Sequence, residues 1–321
     1  MELAVAIFTV GPVLVSVIVY ISEIPTRRQA ATLAAWNVVV QTETKRPSAG
    51  REDALRLLKE RKESLAGIVL AEAILRDIDL TEAEISYGSF RNIDCTRCTF
   101  RKASLLGAQL QGGQYRRGCD FSGAVLEDTQ INGARFPDCK FDGASLHRAQ
   151  GDDHTSFNGA SLQAAAISNA NLSGAVFDNA RMTNVRLTSS NLDRASFQRV
   201  DASGWRWTAV HGEATKFKIH GEKPVFDRGT NLRLAQFDGS EIDGAIFEDV
   251  NLEGAHFFKA SLKNAIFKDC DLSGTNFTSA DLSGARFENC KIEGAIFRDS
   301  KINSVSAFQG CQGMPIDVPK S

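Results

Sequence analysis

From Leu65 onward a large apolar residue returns every five positions. The run is plainest at Phe237, Ile242, Phe247, Leu252, Phe257, Leu262, Phe267, Leu272, Phe277, Leu282, Phe287, Ile292, Phe297 and Ile302. Two residues before these the chain is almost always small, as at Ala245, Ala255, Ala265, Cys270 and Ala285. A period of five matches neither the 3.6 of a helix nor the 2 of a strand. It is an internal repeat, with two residues of every five pointing in and three pointing out. A chain that turns a corner every five residues closes a square after four units. Residues twenty apart then stack at the inter-strand spacing of about 4.8 Å.

The order of residue types follows that square. Phe237, Phe257, Phe277 and Phe297 are spaced by twenty, and Phe247, Phe267 and Phe287 are offset by ten, which puts them on the opposite side. Leu and Ile fill the other two sides. Ser-Gly pairs such as Ser273-Gly274 suit tight corners. The residue before Leu is often Asn or Asp, as at Asn171, Asn191, Asn251, Asp271 and Asp281. Ala170-Asn-Leu-Ser-Gly174, Ala260-Ser-Leu-Lys-Asn264 and Ala280-Asp-Leu-Ser-Gly284 resemble the A-(D/N)-L-x-x unit of the pentapeptide-repeat family. The resemblance covers about Leu65 to Ala307. It implies an all-β fold, a right-handed quadrilateral β-helix of about twelve coils and ~55 Å at that spacing. Trp36-Asn37-Val38, Gly50-Arg51, Ala54-Leu55 and Ser64-Leu65-Ala66-Gly67 also resemble the lead-in of bacterial membrane-anchored members.

Three places depart from the period. One residue is added between Tyr115 and Phe121 and another between Leu146 and Phe157, each absorbable by a small bulge. Thr208 to Gly229 fits no run of coils and is expected to project from mid-rod as a loop. The expected organisation is an anchor over 1–23, a helical connector and cap over 24–64, the β-helix over 65–309 with the insertion at 208–229, and a tail over 310–321.

Leu3 to Ile21 is a run of 19 residues without charge, LAVAIFTVGPVLVSVIVYI. At 1.5 Å rise per residue it spans about 28 Å, close to a bilayer's hydrocarbon core. A cleaved signal peptide fits less well: no Lys or Arg precedes the run, and no A-x-A-like site follows it. Arg27, Arg28, Lys45, Arg46 and Arg51 all follow the run, so the positive-inside bias places the repeats in the cytoplasm of a single-pass membrane protein. Between anchor and repeats, Arg27–Val40 and Arg51–Ser64 read as helices. The second has Ala54, Leu55 and Leu58 on one face, ready to cover the open apolar end of the solenoid.

Composition narrows the chemistry. There are 20 Phe against 3 Tyr and 3 Trp, so one residue type serves one repeated role. Net charge is −2, which gives no whole-molecule reason to expect nucleic-acid binding. Residues 65–207 carry 16 acids and 15 bases, and residues 208–321 carry 16 and 13. Cys95-Thr-Arg-Cys98 has the form of half a zinc or redox site, but no second C-x-x-C partners it. The frame explains it as interior packing, with Cys98, Cys119 and Cys139 forming one ladder of buried thiols and Cys270 and Cys290 another. A metal site from His211, Glu213 and His220 is weaker than their reading as solvated loop residues. No phosphate loop or nucleophile motif is present, and neither cofactor nor metal is expected.

The expected function is therefore not catalytic. A membrane-tethered scaffold binds a protein partner through rod faces or the mid-rod loop, with Trp205, Trp207, His211, Lys216, Phe217, Lys218, His220 and Phe226 as candidate contacts. The two Trp also have a packing role open to them, filling a widened coil beneath the loop. The alternative is a DNA-mimic regulator or protector of a topoisomerase such as gyrase, which the resemblance implies for one branch of the family. The short tail is expected to leave Phe297, Ile302 and Phe308 near an open edge, where two copies join end to end.

Overall fold

The computed structural model describes residues 26–40, 49–116, 118–221, 223–302 and 307–319. Helix α1 (26–40) and helix α2 (Ala49–Glu60) precede a β-solenoid of about 12 turns. Among the described residues no helix is long and apolar enough to cross a membrane. The span predicted at Leu3–Ile21 lies outside them.

Each five-residue unit is built the same way. In the unit Ala255 to Lys259, Ala255 and Phe257 face in, while His256 pairs with Gln236 below and Asn276 above. Phe258 and Lys259 make the corner, closed by the Ala260 N–H donating to the Phe257 carbonyl at 3.1 Å. The second corner residue has positive φ, 56° at Lys259 and 65° at Gly274, as a type II turn requires. An Asn or Asp before the central Leu turns its Oδ1 onto the N–H two residues on and accepts from it. Asn251 does so from Glu253 at 3.0 Å, and Asp271 from Ser273 at 3.1 Å. The side chain thus satisfies a corner N–H that no neighbouring strand can reach.

Strands form where stacked units straighten. Strands β1 (Ile74–Arg76), β2 (Asp94–Thr96) and β3 (Gln114–Arg116) make one parallel sheet. β6 (Ser196–Asp201) and β8 (Lys216–His220) make a second. The eight-stranded third sheet joins β4 (Ala166–Ser168), β5 (Arg186–Thr188), β7 (Arg206–Thr208), β9 (Val225–Asp227), β10 (Ile246–Glu248), β11 (Ile266–Lys268), β12 (Arg286–Glu288) and β13 (Phe308–Gln309). Register steps by twenty from Phe247 to Phe267 to Phe287. It steps by twenty-one where the sequence adds a residue, as in Thr99 to Asp120 and Arg135 to Ser156.

The interior is filled by columns of rings. One column runs unbroken from Tyr115 through Phe136, Phe157, Phe177, Phe197, Phe217, Phe237, Phe257 and Phe277 to Phe297, with successive centroids 4.3–5.4 Å apart. Its partner column changes side along the rod. In the lower half it is Phe100, Phe121 and Phe141 on the adjacent face. In the upper half it is Phe226, Phe247, Phe267, Phe287 and Phe308 on the opposite face. Across the interior the rings meet edge to face, as at Phe136–Phe141 (89°) and Phe257–Phe267 (85°). Stacking along the axis with T-contacts across it satisfies the ring quadrupoles in both directions.

The lower end is covered by the helices. Leu55 and Leu58 of α2 are fully buried, with Ala35 and Val39 of α1 against them. Lys59 pairs with Asp79 at 2.5 Å, and Glu52 accepts the Arg76 N–H at 2.8 Å, tying α2 to the first coils. At the other end the tail differs from expectation. It continues the solenoid: Gln312 bridges Lys291 and Ile316 bridges Ile296. Phe297 is therefore sealed, and Phe308 stacks on Phe287 at 5.0 Å.

Candidate functional site

The segment 208–229 is not a projecting loop. Leu187 pairs with Trp207 and Trp207 with Phe226 in continuous parallel register, while His211 bridges Asn191 and Asn231. The physical reason lies in two exchanges of size. Gly212 stands where Leu192 and Leu232 stand one coil below and above, and Ala202 stands where Met182 stands below. The missing volume is supplied by Trp207 and Trp205, whose rings lie 5.7 Å apart and turn edges to Phe197. A Cβ on Gly212 would come within 2.9 Å of Leu232 and 3.5 Å of Trp207. The indole pair also carries the ring column from one side of the rod to the other. Trp205 donates its Nε1–H to the Met182 carbonyl at 2.7 Å, whereas Trp207 Nε1 is buried with no partner among the described residues.

The candidate contacts consequently divide. Trp205, Trp207, Phe217 and Phe226 are buried to 2% exposure or less, so no partner reaches them. His211, Lys216, Lys218 and His220 are exposed. His211 lies in the column with Asn191 and Asn231, away from the other three. Lys216, Lys218 and His220 alternate along β8, facing out while Phe217 and Ile219 face in.

β6 and β8 run on through a position where the other coils turn, so they present the broadest strand surface of the rod. Arg199, at φ 59°, is the extra residue of a bulge in β6, and its guanidinium donates to Asn179 at 2.7 Å. Beside β8 lie Ser196, Gln198 and Asp201, neighbours that no local sequence signal announces. His220 sits between Asp201 and Glu241.

Many surface charges elsewhere are paired from coil to coil, while Arg135, Lys140, Arg181, Arg186, Arg194 and Arg286 are exposed with no ion pair among the described residues. Arg97 reaches Asp77 at 2.6 Å, Arg148 reaches Asp128 at 2.6 Å, and Arg233 sits between Glu213 and Glu253. Lys268–Glu248, Lys291–Asp271 and Lys301–Asp281 repeat the pattern. Hydrogen bonding to Arg97 holds the Asp77 carboxyl below its ordinary value, and hydrogen bonding to Arg148 does the same for Asp128. Lys216 and Lys218 have no carboxylate within ion-pair distance among the described residues.

The sulfur ladders lie inside. Cys119 and Cys139 are buried thiols, as are Cys270 and Cys290, and Cys311 extends the second ladder into the last coil. Hydrogen bonding with Cys119, and then burial, push the Cys139 thiol far up. Hydrogen bonding with Cys270 and burial do the same for Cys290. Cys98 departs from the expected ladder of free thiols: it is joined to Cys95 by a disulfide. Cys95 faces in from one strand and Cys98 from the next corner, so the C-x-x-C spacing brings both sulfurs to one point of the core.

Comparison with known proteins fits this geometry. Residues 78–113, 118–150 and 155–194 match the family described as pentapeptide repeats (8 copies). Residues 240–313 match the pentapeptide repeat region. Together these cover more than half of the chain. No curated protein matches it. Among solved structures, HetL, a pentapeptide repeat protein involved in heterocyst differentiation regulation from the cyanobacterium Nostoc sp. strain PCC 7120, is 22% identical. That match covers 76% of this chain and 95% of HetL, with a TM-score of 0.28. QnrB1, a plasmid-mediated fluoroquinolone resistance protein, is 18% identical over 74% of this chain and 90% of its own, with a TM-score of 0.25. Rfr23, from the cyanobacterium Cyanothece 51142, is 17% identical over 41% of this chain and 92% of its own, with a TM-score of 0.20. The five-residue unit, the square coil and the family matches agree: the chain belongs to the pentapeptide-repeat family.

Proposed function

We propose that this chain is a non-catalytic scaffold, tethered to a membrane, that holds an acidic protein surface against the middle of its rod. The observation that carries the reading is the pair Lys216 and Lys218, exposed and without ion partners among the described residues on the broad face of β6 and β8. Two exposed cations side by side on the face of the two longest strands suit a partner that brings the carboxylates. Among the described residues the rod interior is filled by rings and leaves no cleft for a substrate, which favours binding over catalysis. The tether rests on the uncharged run Leu3–Ile21 and the basic residues after it.

A DNA mimic of the kind that protects gyrase needs a continuous negative stripe. The coil-to-coil pairs of Asp and Glu with Lys and Arg interrupt any such stripe here. The end of the rod, where Met314 and Ile316 are exposed, is the surface on which a second copy would dock.

The test is cross-linking and capture of the full chain from membranes. The scaffold reading predicts a partner that is retained by Lys216→Arg/Lys218→Arg and lost by Lys216→Glu/Lys218→Glu. It also predicts weakening by salt, because exposed charge pairs are screened over about 10 Å at 0.1 M. Capture that ignores the charge reversal contradicts the reading.

A further inference from the structure

The sulfur of Cys119 lies beside the Cys95–Cys98 pair: the three sulfurs are all within 4.8 Å of one another, and all three residues are buried. The Cys119 sulfur also accepts the Cys98 N–H at 3.4 Å. We propose that, once the Cys95–Cys98 bond is reduced, Cys95, Cys98 and Cys119 form a three-thiolate site for a soft, thiophilic cation, Zn(II) or Cu(I).

Packing alone does not call for this arrangement. Cys95 occupies a slot filled by Leu75 below and Tyr115 above, and Phe fills the same slot from Phe136 onward. Cys139, Cys270 and Cys290 each stand in interior columns, but among the described residues only Cys95, Cys98 and Cys119 bring three sulfurs to one point. The coil above Cys95 also buries the Tyr115 hydroxyl with no partner among the described residues, in a slot where Phe would pack without that cost. This stretch of the core thus combines three converging sulfurs with an unpartnered buried hydroxyl.

An all-sulfur donor set selects soft ions and rejects Mg²⁺ and Ca²⁺, which take oxygen ligands. With metal–sulfur distances of about 2.3 Å, three sulfurs around one ion lie ~4 Å apart; Cys119 already lies within 4.8 Å of both partners, and Cys95 and Cys98 part to that distance once their bond is reduced. The chemistry balances in two steps. A dithiol reductant gives two electrons and two protons to the Cys95–Cys98 bond and leaves as its own disulfide. Binding then releases the thiol protons, as in Zn²⁺ + 3 RSH → Zn(SR)₃⁻ + 3 H⁺. All three residues are buried, so reductant and ion reach them through local opening of the lower coils. The sequence signal was split: Cys95 and Cys98 are three apart, but Cys119 joins them only because one coil here takes twenty-one residues.

The experiment uses the full chain in detergent, prepared anaerobically with reductant and without chelator. Zn(II) and Cu(I) are titrated separately against chelators of known affinity, and elemental analysis gives the bound ion. The expected result is one ion per chain, with Cys119→Ser weakening it by more than about tenfold while the fold persists by circular dichroism. Cys139→Ser and Cys290→Ser retain the ion. The proposal is overturned if the reduced, folded protein binds neither ion, if Cys119→Ser binds as tightly as wild type, or if the Cys95–Cys98 bond resists reductant in the folded rod.

Discussion

Trp207 and Gly212 are coupled by volume, which makes them a direct test of how the middle of the rod is built. Trp207 fills space that Gly212 vacates, and its ring touches Phe197, Phe217 and Phe226. Trp207→Leu restores the residue type of Leu187 below but leaves the Gly212 slot empty, at a cost of about 2–4 kcal/mol for lost contacts and residual cavity. Gly212→Leu alone drives new atoms into Leu232 and Trp207, and overpacking of this kind costs ~1–3 kcal/mol or more. The double variant puts Leu on both faces, as in the coil of Leu187 and Leu192. Its cost should fall below the sum of the singles by about 2 kcal/mol, a coupling within the usual range for touching residues. Guanidinium unfolding of all four proteins, followed by far-ultraviolet circular dichroism, reads the cycle. Strictly additive costs would refute the volume exchange and return 208–229 to the status of a loop.

Other outcomes follow from local geometry. Gly274→Ala places a Cβ in open space at φ 65° and should cost only the left-handed strain of about 1–2 kcal/mol. Gly221→Ala places its Cβ 2.5 Å from the Ser203 nitrogen and should cost ~3 kcal/mol or more, read by the same unfolding curves. Burial raises the Asp79 carboxyl, but hydrogen bonds from Lys59 and Thr81 outweigh it and hold the pKa at about 2 against an ordinary 3.8. The contribution of Asp79 is thus complete above pH ~4 and is lost as pH falls through 2, worth under about 1 kcal/mol at its exposure. Thermal unfolding between pH 5 and 2 should show a smaller loss in Asp79→Asn, and an identical loss would rule out the Lys59 tie. If the end of the rod pairs two copies, Met314→Glu/Ile316→Glu should leave only monomer in sedimentation, and an unchanged mass would exclude that surface.

The fold was legible because its rule is local and repeated. A small residue at one slot, a large one two later and a corner Gly or Asn recur often enough that a single coil predicts its neighbours. The middle was not legible, because Gly212 and Ala202 occupy large-residue slots, and Trp205 and Trp207 fill the interior from a different face. A pattern of apolar positions records where residues point, not how far they reach across. The same limit hid the three-sulfur cluster, since Cys119 meets Cys95 and Cys98 only through the stacking of coils. Lys216 and Lys218 were visible as charges, but their lack of ion partners among the described residues is a property of columns twenty residues apart. The end of the rod differs from expectation for a related reason: the period fades after Ile302, yet Gln312 and Ile316 still find the coil below.

The middle of the chain is rod rather than loop, and only a rod displays Lys216 and Lys218 on a strand face. Hydrogen exchange of the full chain, resolved by mass spectrometry over 206–228, measures this directly. The His211 and Gly212 amides donate at 2.9 and 2.7 Å to neighbouring coils, so this segment should be protected as strongly as 246–268. Exchange across 208–220 at the rate of an open loop would contradict the continuous rod and, with it, the strand face on which the partner is proposed to dock.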